Sequence, residues 1–322
     1  MKVLSLFSGI GAFEKALDNL GIEFELVNYC EIDKYASKSY STIHGVDELL
    51  NLGDITTVDT SKLPNDIDLL THGSPCQSFS LAGLQHGGDK GSGTRSSLMW
   101  ETVRIISDIK PKIIIWENVK NVLSKNHKHN FDAYTEQLDE SNYNSYYKIL
   151  NSRDYGIPQN RERIFVVSIR KDVDTGMFQF PQGFPLKLKL KDMLDDEVDE
   201  KYFLSDTQIN SIKTSTYTQN QRRIQEKDWC DTLCARDWKD PKCVMVEKTY
   251  KEGETVITQL NKVRKLTPKE YFRLQGFDDE SFMRAEKVCS NTQLYKQAGN
   301  SIVVPVLEYI LANLLECGVI TS

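Results

Sequence analysis

The sequence predicts an α/β protein built on a doubly wound sheet, with a second, smaller domain that is mostly irregular or β. Three observations predict it. Short apolar runs alternate with helical periodicity through about the first 170 residues, the alternation stops near residue 181, and a helical apolar pattern returns at 300–315. A chain of 322 residues is long enough for one large domain and one smaller one.

The elements follow in order from these patterns. KVLSLF at 2–7 predicts a first strand, and the turn SGIG leads into a helix that begins at Ala12 and is capped by Gly21. KIIIWEN is typical of a parallel strand covered on both faces, and RIFVVSIR repeats its pattern. A helix is predicted at 97–109. Strands are predicted at 2–7, 24–30, 67–73, 112–118 and 163–170, and a further strand is predicted shortly before the GDI motif at residues 53–55.

The domain organisation follows from where the alternation stops and resumes. Residues 1–180 together with 300–322 are predicted to form the main domain, residues 181–275 the smaller domain and residues 276–299 a connector. In the last helix Pro305 is compatible with the first turn.

Composition indicates an ordinary globular protein, with 39% hydrophobic and 27% charged residues. No apolar run reaches the length of about 18 residues that a membrane span needs, and the N-terminus lacks a cleavage pattern, so a cytoplasmic protein without a membrane partner is expected. The seven cysteines show no disulfide framework, which fits reduced thiols. Cys230, Cys234 and Cys243 are irregularly spaced without a matching histidine, so no metal site is predicted.

The charge distribution is uneven along the chain. The net charge is −6, yet residues 201–270 contain 14 lysines and arginines against 10 aspartates and glutamates. A mildly basic segment on an acidic body is compatible with contact to nucleic-acid phosphates.

A glycine turn and two acids indicate a nucleoside-containing cofactor. Gly9 and Gly11 lie where the first strand meets the first helix, where a ligand can approach the backbone, although a plain turn is an equal explanation. Glu31 follows the next strand at about the 20-residue spacing expected of a ribose-binding carboxylate. Asp54 follows another predicted strand and could accept a hydrogen bond from an adenine amine; a solvated turn aspartate is the alternative.

Cys76 is a candidate nucleophile. Most cysteines are buried and inert. This one directly follows Pro75 at the end of an apolar run, and the stretch 81–97 after it has five glycines and no apolar periodicity, which is typical of a mobile lid. A thiolate at the ligand side of a sheet, under such a lid, is suited to covalent catalysis.

Three further side chains are candidates for supporting such a reaction. Glu117 ends a buried strand, and burial would raise its pKa and let it donate a proton; an ordinary strand-end acid is the alternative. Arg161 and Arg163 are two residues apart and so lie on one side of an extended segment, although arginines at a strand start are commonly surface residues.

Taken in order, these motifs resemble those of the C5-cytosine DNA methyltransferase family of bacterial and phage restriction–modification systems. The likeness covers nearly the whole chain outside 181–260. FSGIGAFE resembles the first cofactor motif, GSPCQSFS the Pro-Cys motif, ENV the acid motif and QNRERIF the Gln-x-Arg-x-Arg motif. RKLTPKEYFRLQGF and QAGNSIVVPV resemble the two C-terminal motifs.

The resemblance implies a Rossmann-like domain that binds S-adenosyl-L-methionine and methylates C5 of a cytosine flipped out of double-stranded DNA. Attack of Cys76 on C6 would activate C5, with Glu117 stabilising the change at N3 and Arg163 contacting O2. The implied catalytic set is Cys76, Glu117, Arg161 and Arg163. The implied main domain is then catalytic, and the smaller domain recognises the target sequence.

The resemblance also implies binding residues. For the cofactor they are Phe7, Gly9, Gly11, Glu31, Asp54, Ile55, Pro75, Leu98, Asn300 and Ser301. Ser5 and Ala12 depart from the family pattern, which commonly has an aspartate and a second glycine there. For DNA they are Gln85, Arg95, Arg222, Arg223, Thr232, Leu233 and Arg236, residue types that read base edges or hold phosphates.

Alternative functions remain open at this point. A related branch of the family methylates cytosine in tRNA. An NAD-dependent oxidoreductase or a catalytically silent DNA-binding protein would share the fold, but the first leaves Cys76, Glu117 and Arg163 unexplained together. Under the restriction–modification hypothesis, a cognate endonuclease that acts on the same site is expected as a partner. The methyltransferase itself is expected to be monomeric.

Overall fold

The computed structural model describes residues 1–75, 88–217, 221–252 and 255–320, without the side chains of 248–252 and 255–261. Its strands, in chain order, are β1 (Lys2–Leu6), β2 (Glu25–Cys30), β3 (Leu69–His72), β4 (Ile113–Val119), β5 (Tyr143–Asn151), β6 (Gln159–Asn160), β7 (Glu162–Arg170), β8 (Ile224–Gln225), β9 (Cys230–Asp231), β10 (Cys243–Glu252) and β11 (Thr255–Lys265). Its α-helices are α1 (Ala12–Asn19), α2 (Lys34–His44), α3 (Met99–Ile109), α4 (Lys128–Glu140), α5 (Asp206–Lys213), α6 (Pro268–Leu274), α7 (Asp279–Glu286), α8 (Asn291–Asn300) and α9 (Val304–Glu316).

The central sheet has the strand order β2-β1-β3-β4-β7-β5. The first four strands in that order are parallel, so their carboxyl ends meet at one edge. β7 runs antiparallel to both β4 and β5. The prediction that 163–170 repeats the parallel pattern of 112–118 is therefore right about burial and wrong about direction, because an apolar run is buried in the same way in either direction.

Side-chain alternation along the strands divides the core between the two faces of the sheet. Val3, Leu69 and Ile113 belong to one cluster, which also contains the apolar faces of α1 and α9. Their sequence neighbours Leu4 and Leu70 belong to a second cluster, with α3 and α4. Helices thus cover both faces, and the predicted doubly wound α/β fold is confirmed.

One predicted strand is absent. Residues 48–50 and 55–57 form short 3-10 helices, and the segment between them forms only one isolated β-bridge to the sheet, between Tyr29 and Asn51. The expectation of a strand before Asp54 is therefore wrong. Asp47 and Asp54 each cap a 3-10 helix by accepting a backbone N–H, which favours a turn over an extended strand.

The region predicted to be mostly irregular or β contains a small sheet of order β11-β10-β8 and the helix α5. Its own cluster of buried apolar residues is small: Leu204, Ile212, Cys243 and Val263. Leu233 and Val244, from the same region, instead belong to the cluster shared with α1 and α9. β9 pairs with β6, which joins this region to the segment just before β7.

The C-terminal segment returns to the main sheet as helices. The helix predicted at 300–315 begins at Val304, with Pro305 in its first turn, and α8 precedes it after a short break. Residues Asn291–Glu316 are apolar and long enough to cross a membrane by composition, but 61% of the most apolar window is buried. The buried residues of this segment belong to the same apolar cluster as those of α1.

Candidate active site

The loop after β1 turns sharply. Phe7, Gly9 and Gly11 all have positive φ, at 53°, 57° and 80°. A Cβ on Gly11 would lie 2.0 Å from Nε2 of His44, so both the backbone conformation and the neighbouring imidazole require glycine there. The backbone N–H of Ser8 donates to the carbonyl of Cys30 at 3.2 Å, which ties this loop to the end of β2.

Glu31 lies at the end of β2, beside that loop. Its carboxylate accepts hydrogen bonds from the backbone N–H of Gly9 at 2.9 Å and of Asp33 at 2.7 Å. Burial raises the pKa of Glu31, while the two backbone donors act in the opposite direction. The structure thus brings two sequence-predicted features, the glycine turn and the acid, into direct contact.

Asp54 and Ile55 lie on the neighbouring turn. The carboxylate of Asp54 accepts from the backbone N–H and the hydroxyl of Thr56, at 3.0 and 2.9 Å, while Ile55 is buried. Asn51, three residues earlier, accepts from the backbone N–H of Glu31 at 3.0 Å and joins this turn to the end of β2. Sequence reasoning missed Asn51, because an asparagine between two leucines carries no motif.

The segment after β3 is fixed against the end of β4. The indole N–H of Trp116 donates to the hydroxyl of Ser74 at 3.0 Å, and the amide of Asn118 donates to the carbonyl of Ser74 at 3.1 Å. Pro75 follows and is the last residue described before a gap. Cys76 and Gln85 lie outside the described residues, as does much of the predicted lid at 81–97.

Glu117 and Arg163 form an ion pair beneath this segment. Nε of Arg163 lies 3.0 Å from Oε1 of Glu117, and both side chains are largely buried. Burial raises the pKa of Glu117, and the positive charges of Arg163 and Arg161 lower it in part. A position for a Cβ on Gly73 would be 3.7 Å from the other carboxylate oxygen, so Glu117 lies next to the chain that leads to Pro75.

Arg161 is occupied differently from Arg163. It is buried, and its guanidinium donates to the backbone carbonyls of Leu233 at 2.9 Å, Gly299 at 3.4 Å and Ser301 at 2.7 Å. It therefore joins three chain segments: the start of β7, the turn after β9 and the end of α8. Two arginines on one side of an extended segment are alike in sequence, and only these partners distinguish them.

The remaining cofactor candidates surround the same edge. Ser301 is buried and Asn300 is exposed at the end of α8, and Ile302, next in sequence, is 3.5 Å from the position of a Cβ on Gly73. Leu98 is partly buried at the start of α3, in the cluster that also takes in Phe7. A carboxylate, a half-buried glycine turn and apolar walls suit a nucleoside, so these residues fit a cofactor of that class.

The DNA candidates divide by exposure. Arg95, Arg222 and Arg236 are exposed. Arg223 pairs with Asp240 at 3.1 Å. Thr232 and Leu233 face inward: the hydroxyl of Thr232 donates to the carbonyl of Asn160 at 2.6 Å, and Leu233 is 1% exposed. Those two residues therefore pack the turn against β6.

Relatives in sequence include type II and orphan methyltransferases. The type II methyltransferase M2.ScrFI of Lactococcus lactis subsp. cremoris is 42% identical over 270 residues, covering 83% of this chain and 71% of the relative. M.Bsp6I of Bacillus sp. (strain RFL6) is 36% identical, and 98% of each chain is covered. The orphan methyltransferase M.SPRI of Bacillus phage SPR is 33% identical, covering 98% of this chain and 97% of the relative.

Solved structures share the fold at lower identity. The S. pombe Dnmt2 methyltransferase matches with a TM-score of 0.74 at 22% identity, and the Entamoeba histolytica methyltransferase EhMeth with 0.74 at 18%, each covering 98% of both chains. Residues 1–316 match the family of C-5 cytosine-specific DNA methylases. With its sheet, its glycine turn and its buried acid in place, the chain belongs to that family and is a DNA (cytosine-5-)-methyltransferase.

Proposed function

We propose that the protein methylates a flipped cytosine within a short, specific sequence of double-stranded DNA, and that Cys76, Glu117 and Arg163 are the residues that act on the base. The observation that carries this proposal is the buried Glu117–Arg163 pair beside the segment Gly73–Pro75, which Trp116 and Asn118 hold in place. Cys76 is the next residue in sequence. A base must leave the helix to reach such a buried pair.

In this reaction the thiolate of Cys76 forms a bond to C6 of the cytosine. The electron pair of the C5–C6 double bond shifts to form a C4–C5 double bond, the C4–N3 pair moves to N3, and N3 takes a proton from Glu117, so C5 becomes nucleophilic. After C5 has been methylated, N3 returns its proton to Glu117. Water then takes the C5 proton, and the electron pair of the C5–H bond re-forms the C5–C6 double bond as the thiolate leaves C6. The raised pKa of Glu117 supports its role as the proton donor, because the carboxyl keeps its proton to a higher pH.

The two arginines have separate roles in this proposal. Arg163 lies against Glu117 and contacts O2 of the cytosine. Arg161 is a positioning residue, since its guanidinium already donates to three backbone carbonyls. It holds the target-recognition region and the end of α8 beside Arg163.

S-adenosyl-L-methionine supplies an electrophilic methyl group at a sulfonium when it is bound. The loop of Phe7, Gly9 and Gly11 would hold the methionine side and one face of the adenine, and Glu31 the ribose hydroxyls. The other walls would be Asp54, Ile55, Pro75, Leu98, Asn300 and Ser301. The carboxylate of Glu31 at the end of β2 and the glycine turn beside it support this assignment.

Contact with DNA is assigned to the exposed arginines Arg95, Arg222 and Arg236 and to Arg223, with Gln85 included on the resemblance alone. Thr232 and Leu233 face inward and are assigned to shaping the turn rather than to touching DNA. In this assignment residues 1–180 and 300–322 are the catalytic domain, 181–275 the target-recognition domain and 276–299 the connector. This proposal includes a cytoplasmic, monomeric enzyme that protects host or phage DNA. Relatives are named both type II and orphan methyltransferases, so a cognate restriction endonuclease is one candidate partner.

Incubation with labelled S-adenosylmethionine and either duplex DNA or tRNA tests the substrate. We expect label in the duplex and none in tRNA; label only in tRNA would overturn the proposal. Cys76→Ala should abolish transfer while leaving cofactor binding unchanged, and turnover by that variant would exclude Cys76 as the nucleophile. Bisulfite sequencing of DNA from expressing cells would then identify the recognition sequence.

A further inference from the structure

We propose that Asn51 is a positioning residue for the cofactor: its side-chain amide fixes the ribose-binding acid Glu31 relative to the adenine-side turn at Asp54. The proposal rests on the assignment of Glu31 and Asp54 to the cofactor made above. Asn51 belongs to neither the Glu31 motif nor the Asp54 motif, and its amide holds the two at a constant spacing.

The amide of Asn51 makes four hydrogen bonds. Its oxygen accepts from the backbone N–H of Glu31 at 3.0 Å and of Gly53 at 2.9 Å. Its nitrogen donates to the backbone carbonyl of Glu31 at 2.9 Å and to the hydroxyl of Ser37 at 2.9 Å. Both donors and both acceptor positions of the amide are therefore used, and two of the four bonds grip the same residue, Glu31.

These hydrogen bonds matter because the backbone makes few other connections between this segment and β2. The segment 51–54 belongs to no strand. Apart from the Asn51 amide, it reaches β2 through one backbone bridge, in which the N–H of Leu52 donates to the carbonyl of Tyr29 at 2.7 Å, and through the thiol of Cys30, which donates to the carbonyl of Gly53 at 3.1 Å. Gly53, with φ of 72°, directly precedes Asp54. The bond from Gly53 to Asn51 thus sets where the Asp54 turn begins relative to Glu31.

The carboxylate of Glu31 is held from its other end as well. Its two oxygens accept from Gly9 and Asp33, so the side chain is directed by those donors while its backbone is fixed by Asn51. A nucleoside whose ribose binds Glu31 and whose adenine binds the Asp54 turn then meets a site of fixed span. Preorganisation of this kind increases affinity because less ordering remains to be done on binding.

The test measures how much the ribose hydroxyls contribute to binding. Calorimetric titration gives dissociation constants for S-adenosylhomocysteine and for its 2′,3′-dideoxy analogue, and their ratio isolates the contribution of the hydroxyls. In Asn51→Ala we expect this ratio to fall by roughly tenfold, the range of one hydrogen bond to a charged group. Asn51→Asp has the same shape but lacks the amide donors and adds a charge near Glu31, so it should show the same fall and provides a second test if the alanine variant does not fold.

Asn28→Ala is the matched control. Asn28 also joins β2 to the 48–50 turn, but its amide donates to the carbonyl of Leu50, at 3.0 Å, rather than to Glu31. Its ratio should equal that of the unmodified protein. An unchanged ratio in both Asn51 variants would overturn the positioning role, whereas failure of the unmodified protein to bind S-adenosylhomocysteine would overturn the cofactor assignment and this inference with it.

Discussion

Glu117 combines a buried carboxyl with a nearby guanidinium. Burial raises its pKa above the usual 4.5, and Arg163 and Arg161 only partly offset that shift. The carboxyl of Glu117 therefore keeps its proton to a higher pH, while the positively charged guanidinium of Arg163 lies 3.0 Å away. This arrangement suits a group that must protonate a base and then carry the resulting negative charge.

Glu117→Gln should lower kcat by about 10² to 10⁴, the usual range for loss of a general acid. Binding of S-adenosylhomocysteine should be unchanged, because Glu117 is assigned to the cytosine. Single-turnover kinetics and calorimetry on the same preparation measure the two effects. A variant that keeps more than about a tenth of the rate would contradict the proton-donor role.

The same residue predicts a pH dependence of stability. The unfolded chain releases the proton of Glu117 near its usual pKa, whereas the folded protein holds it to higher pH. The unmodified protein should therefore lose stability relative to Glu117→Gln as pH rises from about 4.5 through the raised value, and the difference should then level off. Urea unfolding across that range measures it, and a difference that shrinks with pH would contradict burial as the dominant cause.

At this scale the sequence pointed to Glu31 and Glu117, because each acid ends an apolar run and such runs end at the ligand edge of a sheet. It could not reveal Asn51, whose role depends on a fold that brings residue 51 beside residue 31. The sequence also could not distinguish the role of Arg161 from that of Arg163, because residues two apart in an extended segment lie on the same side. Their difference comes from carbonyls that are distant in sequence.

Arg161 joins elements through a geometry that lysine cannot reproduce. Its guanidinium donates to carbonyls at the end of α8 and after β9. Arg161→Lys should cost about 2–4 kcal/mol, because buried carbonyls lose their donors. Arg170→Lys is the control: Arg170 pairs with the exposed Asp172 and donates to one solvent-exposed carbonyl, that of Lys110, at 2.6 Å, so its replacement should cost less than about 1 kcal/mol. Equal costs in urea unfolding would show that Arg161 has no special role in joining these segments.

Gly299 marks a second contact between the same elements. A Cβ there would lie 2.2 Å from the carbonyl carbon of Cys234, which is backbone and cannot move aside. Gly299→Ala should therefore destabilise the protein by at least about 2 kcal/mol. Gly73→Ala meets nothing closer than 3.5 Å and should stay within about 1 kcal/mol. A thermal unfolding midpoint for Gly299→Ala equal to that of the unmodified protein would exclude this close approach.

The elements themselves were predicted unevenly. Strands at 2–7, 24–30, 67–73 and 112–118 match β1 to β4 within two residues, because burial on both faces of the sheet leaves a nearly continuous apolar run in β1, β3 and β4. The strand expected before Asp54 was wrong because aspartate caps turned the chain into 3-10 helices. The helix α2 was not predicted, since its buried face includes Ser37 and Ser39, which give no apolar period.

Over the whole molecule, charge is distributed unevenly, and the proposed DNA contact includes arginines of the basic segment 201–270. The chain has a net charge of −6, while 201–270 is mildly basic and Arg222 is exposed there. Arg222→Gln should weaken DNA binding and lower the slope of log affinity against log salt by about one, as expected for loss of one phosphate contact. Lys128→Gln, on α4, should leave the slope unchanged, and equal slopes in both variants would place Arg222 away from the DNA.

The fold class of the whole chain was readable because helices and strands alternate over half its length. The organisation of 181–275 was not, because only four described residues form its own buried cluster and others, such as Leu233, pack into the main core. A segment that is buried against distant helices has no local period of its own. Its structure follows from contacts such as β6 with β9 that no short stretch of sequence indicates.

The proposed covalent bond between Cys76 and C6 of cytosine can be trapped on a modified duplex. In a duplex that carries 5-fluorocytosine, the group at C5 cannot leave as a proton does, so the thiolate cannot be released. With S-adenosylmethionine present, intact-mass spectrometry should find the protein joined to the DNA strand plus one methyl group, with the bond mapped to the peptide containing Cys76. The adduct should be absent in Cys76→Ala. An adduct that forms in Cys76→Ala, or that maps to another residue, would contradict the account.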